Sequence, residues 1–184
     1  MGFIKRAFVF LTINVLVIAT ISFVIYATGL DRYMYAYGVG YDGLLLTCFI
    51  WGMAGSFISL LLSRFMVKMT MGVRVIDPKT ASGETRELVE MVHGLATRAG
   101  IKKMPEVGIY QSDEINAFAT GPTKNRALVA VSSGLLYRMN RSQIEGVLGH
   151  EVAHVANGDM VTMTLVQGIV NSFVLFASHI IVRV

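Results

Sequence analysis

His150-Glu151-Val152-Ala153-His154 is the stretch on which the reading of this chain turns. Two histidines stand four apart, and a glutamate directly follows the first. On an α-helix, positions i and i+4 lie one above the other on the same face, so both imidazoles can reach one metal ion. Glu151 projects about 100° round from His150, close enough to face a water on that ion. Imidazole nitrogens suit zinc, and an open position on zinc activates water. By chance the five-residue pattern occurs in on the order of one in a few hundred chains of this length. The flanking sequence must therefore carry the assignment.

Ser142 with Glu145 three residues later reads as a capping box and predicts a helix starting just before the motif. Ile144, Val147, Leu148, Val152 and Val155 give that helix an apolar stripe to bury. Asn157 and Gly158 predict its end, since Gly tolerates the left-handed C-terminal conformation. The alternative is a buried helix whose histidines merely hydrogen-bond.

Outward from the motif the chain is unusually apolar. Of 184 residues, 54% are hydrophobic and 15% charged, against about 25% charged in a soluble domain. The deficit sits in three long runs, which predicts a membrane protein in contact with the lipid bilayer. The net charge of +4 reads as topology, and no basic stripe with interleaved aromatics points to nucleic acid. Cys48 stands alone in an apolar run, which excludes an internal disulfide and predicts a small packing residue.

Lys5 and Arg6 precede the uncharged run 7–27, and Gly29 to Asp42 is a short connector whose Tyr33, Tyr35, Tyr37 and Tyr41 suit a membrane boundary. Asn14 inside the first run predicts a hydrogen bond to a neighbouring helix. The second run covers 43–63, where Gly52 and Ser56, and Gly55 and Ser59, are small pairs against which the first span could pack. Arg64, Lys68 and Arg74 follow at once. The positive-inside rule places the N-terminus and everything after Ser63 in the cytoplasm. The predicted organisation is a membrane anchor over 1–69, a cytoplasmic zinc-binding domain over 70–159 and a third transmembrane helix over 160–184. The chain stops inside that last apolar run, which predicts a longer parent protein.

Within the middle segment, Leu88, Val89, Val92, Leu95, Ala96 and Ala99 recur at helical spacing from Glu84 to Ala99, and Gly100 marks the stop. His93 on that helix has no paired ligand. Glu106 to Tyr110, Asn116 to Gly121 and Ala127 to Ser132 read as strands, the last two joined by a turn at Pro122 to Asn125. Gly134 to Met139 is a short helix or turn. The predicted class is thus an α+β membrane protein: transmembrane helices plus a small domain with a short antiparallel sheet and the motif helix.

A catalytic zinc usually has three protein ligands and one water, and only His150 and His154 offer themselves. Asp159 follows a helix break and reads as poorly placed to turn back. His179 lies roughly 30 Å along the third run if helical. Glu106, Asp113, Glu114 and Glu145 lie upstream. The chain as it stands should bind zinc weakly and hydrolyse little.

Taken together, the two N-terminal runs, Asn116-Ala117-Phe118-Ala119-Thr120-Gly121-Pro122, the strand Ala127 to Ser132 with Gly134-Leu135-Leu136, and Gly149-His150-Glu151-Val152-Ala153-His154 leading into Asn157-Gly158-Asp159-Met160 resemble the HtpX-type membrane zinc metalloproteases. These gluzincins are bacterial relatives of the CAAX prenyl endopeptidases. The resemblance implies a zincin-like domain in a multi-pass protein of the bacterial inner membrane, its active site facing the cytoplasm. It implies one zinc per chain on His150 and His154, with Glu151 as catalytic base and a third, glutamate ligand beyond residue 184. It implies misfolded or damaged membrane proteins as substrates. The strand at Asn116, Ala117 and Phe118 is similar to the edge strand along which gluzincin substrates pair. Two other classes compete: a membrane adaptor with structural histidines, and a zinc-dependent protein that binds unfolded segments without cutting them.

Overall fold

The computed structural model describes residues 41–183, together with positions 23, 26, 27 and 29. Most of the first predicted span and of the tyrosine-bearing connector lies outside the described residues. The chain divides into two compact units, Gly55–Gln167 and the described parts of Met1–Ala54 with Gly168–Val184.

In chain order the described elements are α1 (Tyr41–Thr70), β1 (Arg74–Val75), α2 (Gly83–Arg98), β2 (Glu106–Tyr110), β3 (Ala117–Thr120), a 3-10 turn (Lys124–Arg126), β4 (Leu128–Ser132), α3 (Ser133–Arg138), α4 (Arg141–Asn157) and α5 (Asp159–Arg183). The second predicted run is continuous with its basic flank, so α1 carries Arg64 and Lys68 on its last turns. Helical segments Gly43–Thr70 and Asp159–His179 are each long and apolar enough to cross a membrane. Only 22% and 17% of their most apolar windows are buried, whereas the core helix of a soluble protein is mostly buried. Leu46, Trp51, Leu61 and Phe65 on α1, and Met163 and Phe173 on α5, stand exposed.

In the unit Gly55–Gln167 the sheet order is β1-β2-β4-β3. β3 pairs antiparallel with β4, as predicted. The sheet as a whole is mixed rather than antiparallel, because β2 and β4 run parallel, Glu106 opposite Leu128 and Tyr110 opposite Ser132. After β2 the chain crosses to the far edge, lays down β3 there and returns as β4 into the middle. Every residue of β4 is buried, as befits a central strand covered on both faces. The alternation of the pleat sorts its side chains. Val129 and Val131 join Leu88, Val92 and Ala96 of α2 and Leu148, Val152 and Val155 of α4 in the main core. Leu128 and Ala130 face the other way, with Tyr110 and Val73.

Glu106 at the start of β2 accepts from Lys68 at 2.8 Å and is paired with Arg64. Partial burial pushes its carboxyl pKa up, but the hydrogen bonds and charges of Arg64 and Lys68 outweigh this, and the net displacement is downward. A depressed folded-state pKa gives stability that is fully present above the unfolded value and is lost as pH falls through the folded one. Glu106→Gln is therefore expected to cost about 0.5–1 kcal/mol at neutral pH, because Arg64 and Lys68 would lose their partner but solvent screens a pair exposed to this degree. The deficit should vanish in acid. Equal thermal midpoints for the two proteins at pH 7 in detergent would show that the cluster contributes nothing.

In the other unit, Cys48 is buried with Leu44 and Leu175, the packing role predicted for it. A Cβ on Gly52 would lie 2.4 Å from Ser172 Oγ. The small-residue surface of the second run thus receives the third run, with Ser172 Oγ donating to Gly168 O at 2.7 Å.

Candidate functional site

Helix α4 is capped by Asn140, not by Ser142. Asn140 Oδ1 accepts from Gln143 N at 3.0 Å, and Asn140 N donates to Gln143 Oε1 at 2.9 Å. Asn caps a helix as well as Ser does, and Met139 is extended at φ −109 and ψ 144, so the chain is free to turn inward one residue later. Glu145, read from sequence as the partner of Ser142, instead accepts from Arg98 Nη2 at 2.7 Å and ties α4 to α2. At the other end Gly158 adopts φ 79, and its N–H reaches His154 O and Val155 O, the termination expected of it.

Leu148, Val152 and Val155 are buried against the sheet. That orientation leaves His150 exposed and Glu151 and His154 half-buried on the outer side of α4. The Nε2 atoms of His150 and His154 face each other at 3.1 Å. The rings meet edge to face, with centroids 4.5 Å apart and planes at 83°. Two nitrogens on one tetrahedral zinc at 2.0–2.1 Å stand about 3.3 Å apart. The pair thus fits two neighbouring corners of one ion. Among the described residues no third His, Cys, Asp or Glu joins them.

Asp159 is the residue that helical spacing misplaced. It opens α5, and its Oδ2 lies 2.5 Å from His154 Nδ1. The chain leaves α4 through the left-handed Gly158, and the Asp159 carboxylate lies against His154 in the last turn of α4. The hydrogen bond to Asp159 raises the His154 pKa above its ordinary value; loss of hydration opposes this, and the charges of Asp159 and Glu151 add to it. His93 is half-buried on α2, and its Nε2 meets the carbonyl of Pro105 at 3.2 Å, a structural bond rather than a ligand position.

Strand β3 packs against α4 and forms one edge of the sheet, with β4 as its strand partner among the described residues. Ala117 and Ala119 point toward α4 and the main core. Phe118 points to the opposite face, where its ring lies 5.5 Å from that of Tyr110. Asn116 precedes the strand. Its N–H donates to Ser132 Oγ at 3.1 Å, and its carbonyl accepts from Ser132 N at 3.0 Å.

The profile of peptidase family M48 matches residues 82–184. A protein named Protease HtpX homolog from Bacillus pumilus is 56% identical over 183 residues, which is 96% of this chain and 61% of that protein. Its namesake from Bacillus subtilis is 55% identical over 184 residues, again 96% and 61%. Protease HtpX of Shewanella frigidimarina is 53% identical over 177 residues, 96% and 59%. The chain thus spans about three fifths of the length of these curated relatives. The crystal structure of S. mikatae Ste24p superposes with a TM-score of 0.52 at 21% identity, over 84% of this chain and 40% of that one, which supports the shared fold. With the family profile over more than half its length, running through the paired histidines, the chain belongs to peptidase family M48.

Proposed function

We propose that this chain carries most of the catalytic centre of a membrane-bound zinc endopeptidase that removes misfolded or damaged membrane proteins. The observation that carries it is the facing pair of Nε2 atoms, with Glu151 on the same helix and an edge strand packed alongside. His150 and His154 would hold one zinc, and a third ligand would come from outside the described residues. Zinc bound there supplies Lewis acidity, polarising an amide carbonyl and bringing the pKa of water to about 7. Glu151 then acts as general base: it takes the proton from water and delivers it to the departing amine.

Substrate would enter as an extended strand on the outer edge of β3. Main-chain hydrogen bonds along the segment Asn116, Ala117 and Phe118 would give affinity with little side-chain selectivity. The outward-facing N–H and C=O there are those of Ala117, because Asn116 bonds inward to Ser132 and Phe118 shares its register opposite Ala130. The Phe118 side chain faces away from α4 and its backbone is turned toward β4, so Phe118 would flank the bound strand rather than bond to it. Low selectivity and a demand for extended chain suit a quality-control protease. The exposed apolar lengths of α1 and α5 support a membrane setting. Arg64, Lys68 and Arg74 support a cytoplasmic location for the site in a bacterial inner membrane.

The test uses the protein at its full length, purified in detergent. It is expected to hydrolyse an unstructured protein substrate, to stop when a chelator removes its metal, and to recover with one equivalent of zinc. Binding of the unstructured substrate with zinc present but no hydrolysis would overturn the endopeptidase in favour of a segment-binding protein.

A further inference from the structure

Resting on the zinc site proposed above, we infer that Asp159 is a positioning residue for His154, holding the ring so that its Nε2 is ready for metal. The carboxylate Oδ2 meets Nδ1 at 2.5 Å, and on the far side of the same ring Nε2 meets His150 Nε2 at 3.1 Å. The two ring nitrogens of an imidazole diverge, so Asp159 and an ion on Nε2 occupy opposite sides of the ring. Asp159 is thereby excluded as a ligand to that ion and placed as the partner of the other nitrogen. A carboxylate accepts the Nδ1–H proton, which leaves the Nε2 lone pair for metal and fixes the ring plane. His150 gains no such partner from a carboxylate among the described hydrogen bonds. The ordering of the site therefore falls chiefly on His154.

The backbone explains why an aspartate does this from a position five residues on. The left-handed Gly158, at φ 79 and ψ 25, separates α4 from α5. Asp159 also stands in the first turn of α5, where a negative charge complements the helix dipole. One side chain therefore serves the start of α5 and the end of α4 together.

The measurement is zinc affinity of the full-length protein in detergent, by competition with a chromophoric chelator, for wild type, Asp159→Asn, Asp159→Ala and His150→Ala. Asp159→Ala is expected to weaken zinc binding roughly 10- to 100-fold. Asp159→Asn keeps an oxygen to accept from Nδ1 but loses the charge, and should fall between that variant and wild type. Thermal midpoints of the metal-free proteins, read alongside, separate loss of metal from loss of fold. The conservative Asn variant keeps the test open if Ala does not fold. Wild-type affinity in both Asp159 variants, with His150→Ala impaired, would overturn the role of Asp159 and leave the zinc site standing. No zinc on wild type would overturn the site itself.

Discussion

Glu151→Gln is expected to leave zinc bound and to lower peptide hydrolysis by about 10²- to 10⁴-fold, the span usual for loss of a general base. The change is nearly isosteric. Glu151 is half-buried on the outer side of α4, while the helix is held in the core by Leu148, Val152 and Val155. The substitution should therefore disturb neither the packing nor the facing histidines. Glutamine keeps a polar contact with water but cannot accept a proton from it. Elemental analysis and turnover on the same full-length preparation decide the matter. Bound zinc with lost turnover supports the proposed role. Bound zinc with normal turnover would remove Glu151 from the mechanism. Loss of zinc would mean that Glu151 acts on the metal's surroundings instead.

Gly121→Ala should cost about 3 kcal/mol or more, the largest stability effect expected here. Gly121 closes β3 and opens the turn to β4 at φ 143, a conformation that L side chains rarely adopt. An added Cβ would lie 2.2 Å from Arg126 O and 2.9 Å from Ala127 Cα. Both obstacles are backbone, so no rotamer change relieves them. By contrast, a Cβ on Gly158 meets only the end of the Lys124 side chain at 3.5 Å. Gly158→Ala should cost about 1 kcal/mol, for the left-handed conformation alone. If β3 is the docking edge, Gly121→Ala in a protein that still folds should raise KM more than it lowers kcat. Thermal midpoints that move equally for the two alanine variants would show that the turn relaxes.

Period and punctuation made most of the small domain legible. Leu88, Val92 and Ala96 set the phase of α2, and the structure buries those residues. Strand β2 spans the predicted residues, and the pairing of β3 with β4 follows from the short turn between them. What pattern could not supply is pairing between elements distant in sequence. β1 is two residues long and has no period. The parallel match of β2 to β4 leaves only an indirect trace, the apolar run from Leu128 to Val131, which marks a strand covered on both sides. At the site, His150, Glu151 and His154 are legible because helical spacing alone brings them together. Asp159 is not, because reckoning by 100° steps fails across a left-handed residue. In the sequence the cap of α4 reads as Ser142 with Glu145, whereas the folded chain uses a second cap-like pair two residues upstream, Asn140 with Gln143.

The position of β4 also orders events in time. During synthesis β2 and β3 leave the ribosome before the strand that joins them. The short β3–β4 hairpin can close as soon as β4 emerges, but the parallel match to β2 must first close a longer loop. The core beneath the sheet then waits for α4, which ends at Asn157. The sheet and its covering helix can thus assemble while the later chain is still being made. The bond between His154 and Asp159 cannot: it needs the first residue of the apolar helix that follows. Orientation of the second histidine accordingly follows the sheet and its covering helix, made only once synthesis has passed the junction into α5.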